Sequence, residues 1–337
     1  MIERVDLEHS QELDAFVAAH PHCHFMQTSL WGKVKRDWQW CGFLCRAQDG
    51  TIRGSIALLQ HRYHFLRTSL LYAPCGPIFD DGDKETFGEL IAAAKEYGRE
   101  VHACTLRIDP RIVETDTNFL QLSYETGFVQ NTAIDYSLFQ PRMNYILPLE
   151  GLNADTLLAQ YHAGTRRNTR IAQRNGVIIR QGCTADLPAF CRMMAQTAKK
   201  DGFHPKSKAF FATLLKELGE HGRLYLAQKD GAVIAGALIA QYGNATWLLY
   251  CCSDCDSLSD RPNELLQYQM QADALAAGCS VYDFRGVEGY PTEDNPKLGL
   301  HRYKQGFGGK FIAYVGQLDL CLRPRTTRLL LLLETLL

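Results

Sequence analysis

FLCRAQDGTIRGSIALL (residues 43–59) and LYLAQKDGAVIAGALI (residues 224–239) are one pattern written twice. Each has an apolar run, a turn at Asp49-Gly50 or Asp230-Gly231, and a second apolar run holding Gly54 or Gly236. Asp-Gly between strand-forming runs predicts a β-hairpin, because both residues tolerate the left-handed backbone of a tight reversal. The match continues outward. TSLLYAP, with Tyr72, answers ATWLLYCC, with Tyr250. Helices are predicted next, over Lys84–Tyr97 and Asn263–Ala277, the second with Leu265, Leu266, Met270, Ala274 and Ala277 on one face. ACTLRIDP, ending at Pro110, answers SVYDFRGV, ending at Val287, which aligns Arg107 with Arg285. Tyr124-Glu125-Thr126-Gly127-Phe128 answers Tyr303-Lys304-Gln305-Gly306-Phe307. One register of about 180 residues covers the whole unit, so the chain is a duplicated domain. Hairpins followed by alternating helices and strands predict a mixed α/β sheet in each copy.

Composition limits what the duplicate can do. Of the 337 residues, 46% are hydrophobic and 22% charged, the balance of a globular protein. The start, MIERVDLEHSQELDAF, has no export or transit signal, and apolar runs such as Leu329–Leu333 are too short to cross a bilayer, so a cytoplasmic location is expected. In that setting the 12 cysteines are expected to be reduced. Cys45, Cys104, Cys251 and Cys252 sit in strand-like runs as small hydrophobes, and the lone CxxC, Cys252 to Cys255, lacks the second ligand pair of a structural zinc site. No metal is therefore expected.

A net charge of −1 excludes a uniformly basic nucleic-acid binder. Between Leu157 and Ala185, however, Arg166, Arg167, Arg170, Arg174 and Arg180 stand with no acid among them, which suits an anionic partner as well as a solvated helix face. The copies also diverge at one telling position. Glu125 of the first is Lys304 in the second, after the Gly- and Pro-rich approach GVEGYPTEDNPKLGLHRYK. A cation at the end of such a loop is suited to stabilising developing negative charge; a surface lysine is the plain alternative.

Several short motifs follow one another along the chain: Trp31-Gly32-Lys33-Val34-Lys35, Leu106-Arg107-Ile108-Asp109-Pro110, Gln140 to Asn144, the basic run Thr165–Arg174 followed by NGV, Tyr282-Asp283-Phe284-Arg285-Gly286, Gly299 to Lys304, and Tyr314 to Leu320. The strand and helix order resembles two tandem copies of the acyl-CoA N-acyltransferase (GNAT) fold, and these motifs in this order resemble the FemABX family, in particular its short members without a coiled-coil arm. The resemblance implies domain one at 1–140, domain two at 141–316 after a hinge near Gln140-Pro141-Arg142, and a tail, 317–337, returning to domain one. Ligands of such folds are expected where the copies meet, and Leu329–Leu337 is apolar enough to be expected as a closing helix.

It further implies transfer of an amino acid from aminoacyl-tRNA to the stem-peptide amine of a peptidoglycan precursor, UDP-MurNAc-pentapeptide or lipid II, building the interpeptide bridge without a cofactor. Residue by residue, Lys304 matches the family's essential lysine near the ester carbonyl, and Tyr303 an aromatic that stacks on the terminal adenine of tRNA. Lys35 matches a lysine contacting the precursor pyrophosphate, and Tyr250 a tyrosine bordering that site. Lys206 stands where the family has arginine, and Cys104 where a relative has tyrosine. Asp109 matches a candidate base whose competing role is to close the turn before Pro110. Arg166, Arg167, Arg170 and Arg174 are the expected tRNA contacts. Absence of the arm between Lys206 and Ala240 tilts the expectation toward the soluble nucleotide acceptor.

Two rival readings are weaker. An acetyl-CoA N-acyltransferase would need a pyrophosphate loop, and Gln173-Arg174-Asn175-Gly176-Val177-Ile178 lacks its last small residue. A non-catalytic tRNA or precursor binder would have no need of Lys304. A phosphate-binding loop at Gly306–Lys310 fails because Phe311 stands where Ser or Thr is required.

Overall fold

The computed structural model describes residues 1–328, so the expected closing helix at Leu329–Leu337 lies outside the described residues. Two compact units emerge, Met1–Met143 joined by the segment that starts at Ile312, and Asn144–Phe311. These limits fall a few residues from the expected 140/141 and 316/317. Arg142 explains the first difference: it is buried, and its guanidinium donates to the carbonyl oxygens of Tyr314 (2.9 Å) and Thr132 (3.2 Å) and to Glu114 (2.5 Å), all in the first unit.

The first unit runs β1 (Ile2–Val5), α1 (Gln11–Ala19), α2 (Ser29–Val34), β2 (Gln39–Arg46), β3 (Ile52–Tyr63), β4 (Thr68–Ala73), β5 (Ile78–Phe79), α3 (Lys84–Glu100), β6 (Ala103–Ile108), α4 (Thr117–Glu125) and β7 (Phe128–Asn131). The second runs β8 (Met143–Pro148), α5 (Ala154–Gln160), α6 (Ala163–Arg174), β9 (Ile178–Gly182), α7 (Leu187–Asp201), α8 (Lys208–Leu218), β10 (Gly222–Lys229), β11 (Ala232–Tyr242), β12 (Ala245–Ser253), α9 (Pro262–Ala276), β13 (Val281–Val287), α10 (Leu298–Gly306) and β14 (Lys310–Ala313). The chain then enters β15 (Gln317–Cys321). Among the described residues, none of these helices is long and apolar enough to cross a membrane.

The two sheets correspond strand for strand. The first has the order β1-β2-β3-β4-β6-β15-β7, with β5 on β3; the second, read from its far edge, has β9-β10-β11-β12-β13-β8-β14. The sixth place is filled crosswise. β8, which follows the first unit in sequence, belongs to the second sheet, and β15, which follows the second unit, lies antiparallel between β6 and β7 of the first.

Helical periodicity builds the cores. On α3, capped by Asp83 accepting from the Thr86 amide, Phe87, Leu90, Ile91 and Ala94 recur at one-turn spacing and are fully buried against Leu58, Leu71, Leu106 and Leu318. On α9, Leu265, Leu266, Met270 and Ala274 face inward as expected, but Ala277 lies just past the helix and is exposed. Gln267 and Gln271 share the buried face, accepting from the Tyr282 and Tyr161 hydroxyls at 2.9 and 2.6 Å, which gives both buried phenols an acceptor inside the core.

Candidate functional site

The sheets differ where the parallel strands should pair. In the first, β4 and β6 stay paired from Ser69/Ala103 to Ala73/Ile108. In the second, pairing of β12 with β13 covers only Ala245–Trp247 against Val281–Asp283, although the strands run on to Ser253 and Val287. An extra residue explains the parting: Leu238 faces Tyr250 while Ile239 faces Leu248, so Leu249 bulges and bends β12 away. Two parallel strands diverging inside one sheet leave part of their ladder unmade, and at that end of β13 Lys304 takes up three successive carbonyls.

Lys304, in the last turn of α10, is buried, and its ammonium donates to the carbonyl oxygens of Phe284 (3.0 Å), Arg285 (2.9 Å) and Gly286 (2.6 Å). Successive strand carbonyls normally point to opposite sides. They converge here because Arg285 adopts a left-handed backbone (φ 63°), held by its amide donating to Asp283 Oδ1 at 2.6 Å. Burial pushes the lysine down to about 7, opposed by the Asp283 carboxylate and aided by the Arg285 cation. The carbonyl cage pulls the other way, since only the ammonium has three hydrogens to donate. The equivalent Glu125 of the first unit is exposed and accepts from Gln121 on its own helix (2.9 Å), where β4 and β6 need no such clasp.

Around the gap stand three other expected residues. Tyr250, at the bulge, packs edge-on against Phe211 (4.9 Å) and Phe210 (6.2 Å); burial pushes its phenol up to about 12, with the Arg285 cation opposing. Lys206 lies in an exposed stretch with its ammonium 5.9 Å from the Phe210 ring, so one aromatic pair links it to Tyr250. Tyr303 sets its half-buried ring edge-on to Phe307 (5.0 Å). Its hydroxyl is buried without a hydrogen-bond partner among the described residues, and burial, with Cys251 and Glu264 nearby, raises it well above the ordinary tyrosine range. Cys251 lies near Lys304; burial pushes its thiol up to about 12 against the pull of that cation, which leaves it protonated.

The basic helix is tied to this region. The His162 amide donates to the Gly306 carbonyl (2.8 Å), and a Cβ at Gly306 would meet the Thr165 hydroxyl at 2.3 Å, so α6 and α10 approach closely here. Asn168 donates to Glu264 of α9 (3.0 Å). The arginines do not act as one group. Arg180 is neutralised by Asp186, just beyond the acid-free window, through contacts of 2.9 and 2.5 Å that hold the carboxyl well below its usual range. Arg166 donates to the carbonyl oxygens of Ala159 (2.7 Å) and Tyr161 (3.1 Å). Arg167, Arg170 and Arg174 remain on an exposed face, opposite the buried Thr169 and Ala172.

Lys35 and Asp109 belong to the first unit. Lys35 closes α2, its ammonium 5.3 Å from the Trp31 ring. Both Asp109 oxygens are engaged: Oδ2 accepts from the Tyr72 hydroxyl and Oδ1 from the Cys75 amide, each at 2.5 Å. Such a carboxylate holds the chain at Cys75, itself left-handed (φ 57°), which is the structural alternative to a base. Cys104 is fully buried, its thiol 3.4 Å from the Ser69 carbonyl. Arg107, the repeat partner of Arg285, forms a two-pronged pair with Asp319 (2.7 and 2.8 Å). Asp283, Glu264 and Phe210 carry no role in the sequence reading; the Arg107–Arg285 alignment and the Glu125–Lys304 contrast are the sequence signals that point at the gap. Among the described residues no group of three His, Cys, Asp or Glu side chains is placed to hold a metal.

A sequence profile described as the FemAB family matches residues 9–232 and 227–334. A Staphylococcus aureus (strain bovine RF122 / ET3-1) protein named Lipid II:glycine glycyltransferase is 26% identical over 385 aligned positions, covering 92% of this chain and 91% of its own length. Among solved structures, one titled as the crystal structure of FemX superposes with a TM-score of 0.88 at 24% identity, covering 98% of this chain and 99% of that one. A tandem GNAT protein from the clavulanic acid biosynthesis pathway superposes with a TM-score of 0.58 at 12% identity over 96% of this chain and 99% of its own, which supports the tandem fold alone.

Proposed function

This chain belongs to the FemAB family, and from that membership we propose that it transfers an aminoacyl group from aminoacyl-tRNA to the stem-peptide amine of a peptidoglycan precursor. The observation that carries the reading is the opened sheet of the second unit, where a buried cation, an unpartnered phenol and an exposed arginine face gather on joined elements. The relatives are named for lipid II and glycine, so the lipid-linked acceptor is taken first; the earlier tilt toward a nucleotide acceptor has no support in those names. Charged tRNA and lipid-linked precursor are both met on the cytoplasmic side, which is the location proposed.

The amine nitrogen attacks the ester carbonyl, a tetrahedral oxyanion forms, and the carbon–oxygen bond to the tRNA ribose breaks as the ribose hydroxyl leaves with the amine's proton. Lys304 supplies fixed positive charge at the gap. An arriving oxyanion can displace one of its three neutral carbonyls, because a charged acceptor makes the stronger bond. Tyr303 offers a π-face and a free hydroxyl to the terminal nucleotide, and Arg167, Arg170 and Arg174 meet phosphates. Tyr250, Lys206 and Lys35 are assigned to the acceptor. Asp109 is assigned to the fold rather than to proton transfer.

The test is a paired assay on purified protein, with mixed charged tRNAs in one arm and acetyl-CoA in the other, each with lipid II and with UDP-MurNAc-pentapeptide. Addition of one amino acid, lost in Lys304→Met, is the expected outcome and identifies the donor. Acetyl transfer alone would replace this proposal with a CoA enzyme.

A further inference from the structure

We propose that the β3–β4 hairpin tip of the first unit, Arg62 to Arg67, docks the protein on an anionic membrane surface. The duplication supplies the control. In the second unit the equivalent strands β11 and β12 are joined by Gly243-Asn244 alone, with Gly243 left-handed (φ 53°), a short polar reversal that suits the fold. The first unit instead inserts His64-Phe65-Leu66-Arg67 between its strands. Phe65 is 96% exposed, which makes it the most exposed large apolar side chain among the described residues. Arg67 sits at φ 49°, a conformation that glycine or asparagine adopts more cheaply. A loop that only reversed the chain would need neither residue.

The charge around the tip has one sign. Arg62, His64 and Arg67 are exposed beside Phe65, and Arg62 donates to the neutral Gln39 (3.0 Å). The adjoining groove adds His102, to whose ring Arg323 lies at 2.9 Å. Its lining includes one acid, Glu100, already paired with Arg4 at 2.9 Å. An aromatic at an exposed apex, ringed by arginines, matches the boundary between acyl chains and acidic headgroups: the ring enters the interface while the guanidinium groups stay with phosphate. RNA would favour cations without a protruding apolar apex, and the exposed face of α6 already has that character.

The inference rests on the proposed lipid-linked acceptor, since a membrane-docked enzyme meets such a substrate in two dimensions. Its test needs neither acceptor nor donor. The full chain is sedimented with vesicles of phosphatidylcholine alone and of phosphatidylcholine mixed with phosphatidylglycerol. Wild type is expected to bind the acidic vesicles selectively and to be released by salt. Phe65→Ser is expected to weaken binding about tenfold, from the apolar area withdrawn, and Arg67→Gly about fivefold, the share of one basic residue near an acidic surface. Arg67→Gly also relieves the left-handed backbone, so its melting temperature should hold or rise, which separates lost docking from lost folding. No selective binding, or binding unchanged in both variants, overturns the proposal. Loss of tRNA retention on filters by these variants, with vesicle binding intact, reassigns the tip to RNA. Transfer to the soluble nucleotide acceptor reports on the proposed function separately and should be the same in Phe65→Ser as in wild type.

Discussion

An ammonium has three N–H groups, and Lys304 uses them on Phe284, Arg285 and Gly286, so losing its proton strands one buried carbonyl. Its value of about 7 in the folded chain lies below the ordinary 10.5, so between these values the unfolded chain binds more protons. Stability therefore rises with pH across that window, by up to about 1.4 kcal/mol per pH unit from this one group, and is flat below it. The difference in unfolding free energy between wild type and Lys304→Met, followed by denaturant titration, should climb above pH 7 and level off below. A difference independent of pH would mean that the lysine stays charged throughout. For transfer, Lys304→Met should cost on the order of 10²–10³ in rate, and Lys304→Arg should not restore it, since a planar guanidinium cannot converge on three carbonyls. Asp109 behaves oppositely. Asp109→Ala removes the acceptor shared by the Tyr72 hydroxyl and the Cys75 amide and should destabilise by about 2–4 kcal/mol. The protein that remains folded should keep near-normal transfer, whereas a catalytic base would give a stable, dead enzyme.

At the level of the element, α6 has two faces with separate duties. Thr169 and Ala172 pack inward, while Arg167, Arg170 and Arg174 face solvent, so the outer face can change without touching the core. Arg167→Ala with Arg170→Ala should leave the melting temperature unchanged and weaken tRNA binding, and the slope of log affinity against log salt should become shallower by about 1.4–1.8, two phosphate contacts' worth. An unchanged slope would mean that these arginines meet no phosphate. Elements of this kind were open to reading from sequence, because Asp-Gly turns, helical spacing and the second writing of each motif are local signals. The hairpins β2–β3 and β10–β11, the helices α3 and α9, and the strands β6 and β13 follow from them. The opening of β12 from β13 does not. It depends on one bulged residue, Leu249, whose effect exists only through its neighbours across the sheet. For the same reason Lys304 could be singled out by its contrast with Glu125, while its three carbonyl partners could not. The arginine run misled in part, since Asp186 stands one residue beyond the window that seemed free of acid.

For the whole molecule, the crosswise sixth strand makes the two units unequal when cut apart. Residues 144–311 keep nearly all of the second sheet, because they begin inside β8 and end inside β14. Residues 1–143 lack β15, which separates β6 from β7 and pairs with both. They also lose Val315, Leu318 and Leu320 from the core, and Asp319 from its pair with the buried Arg107. At about 1.5–3 kcal/mol for each buried side chain, the three apolar residues together approach the 5–15 kcal/mol that holds a domain folded. Loss of the Arg107–Asp319 pair removes a two-pronged ion pair from that buried guanidinium as well. Expressed separately, 144–311 should melt cooperatively, whereas 1–143 should show little near-ultraviolet dichroism and no sharp transition. Adding a peptide of residues 312–337 should restore a cooperative melt, with a midpoint that rises with peptide concentration as mass action requires. A fragment 1–143 that melts sharply without the peptide would show that the fourteenth-to-fifteenth strand return is dispensable, and that the core around α3 suffices for the first unit.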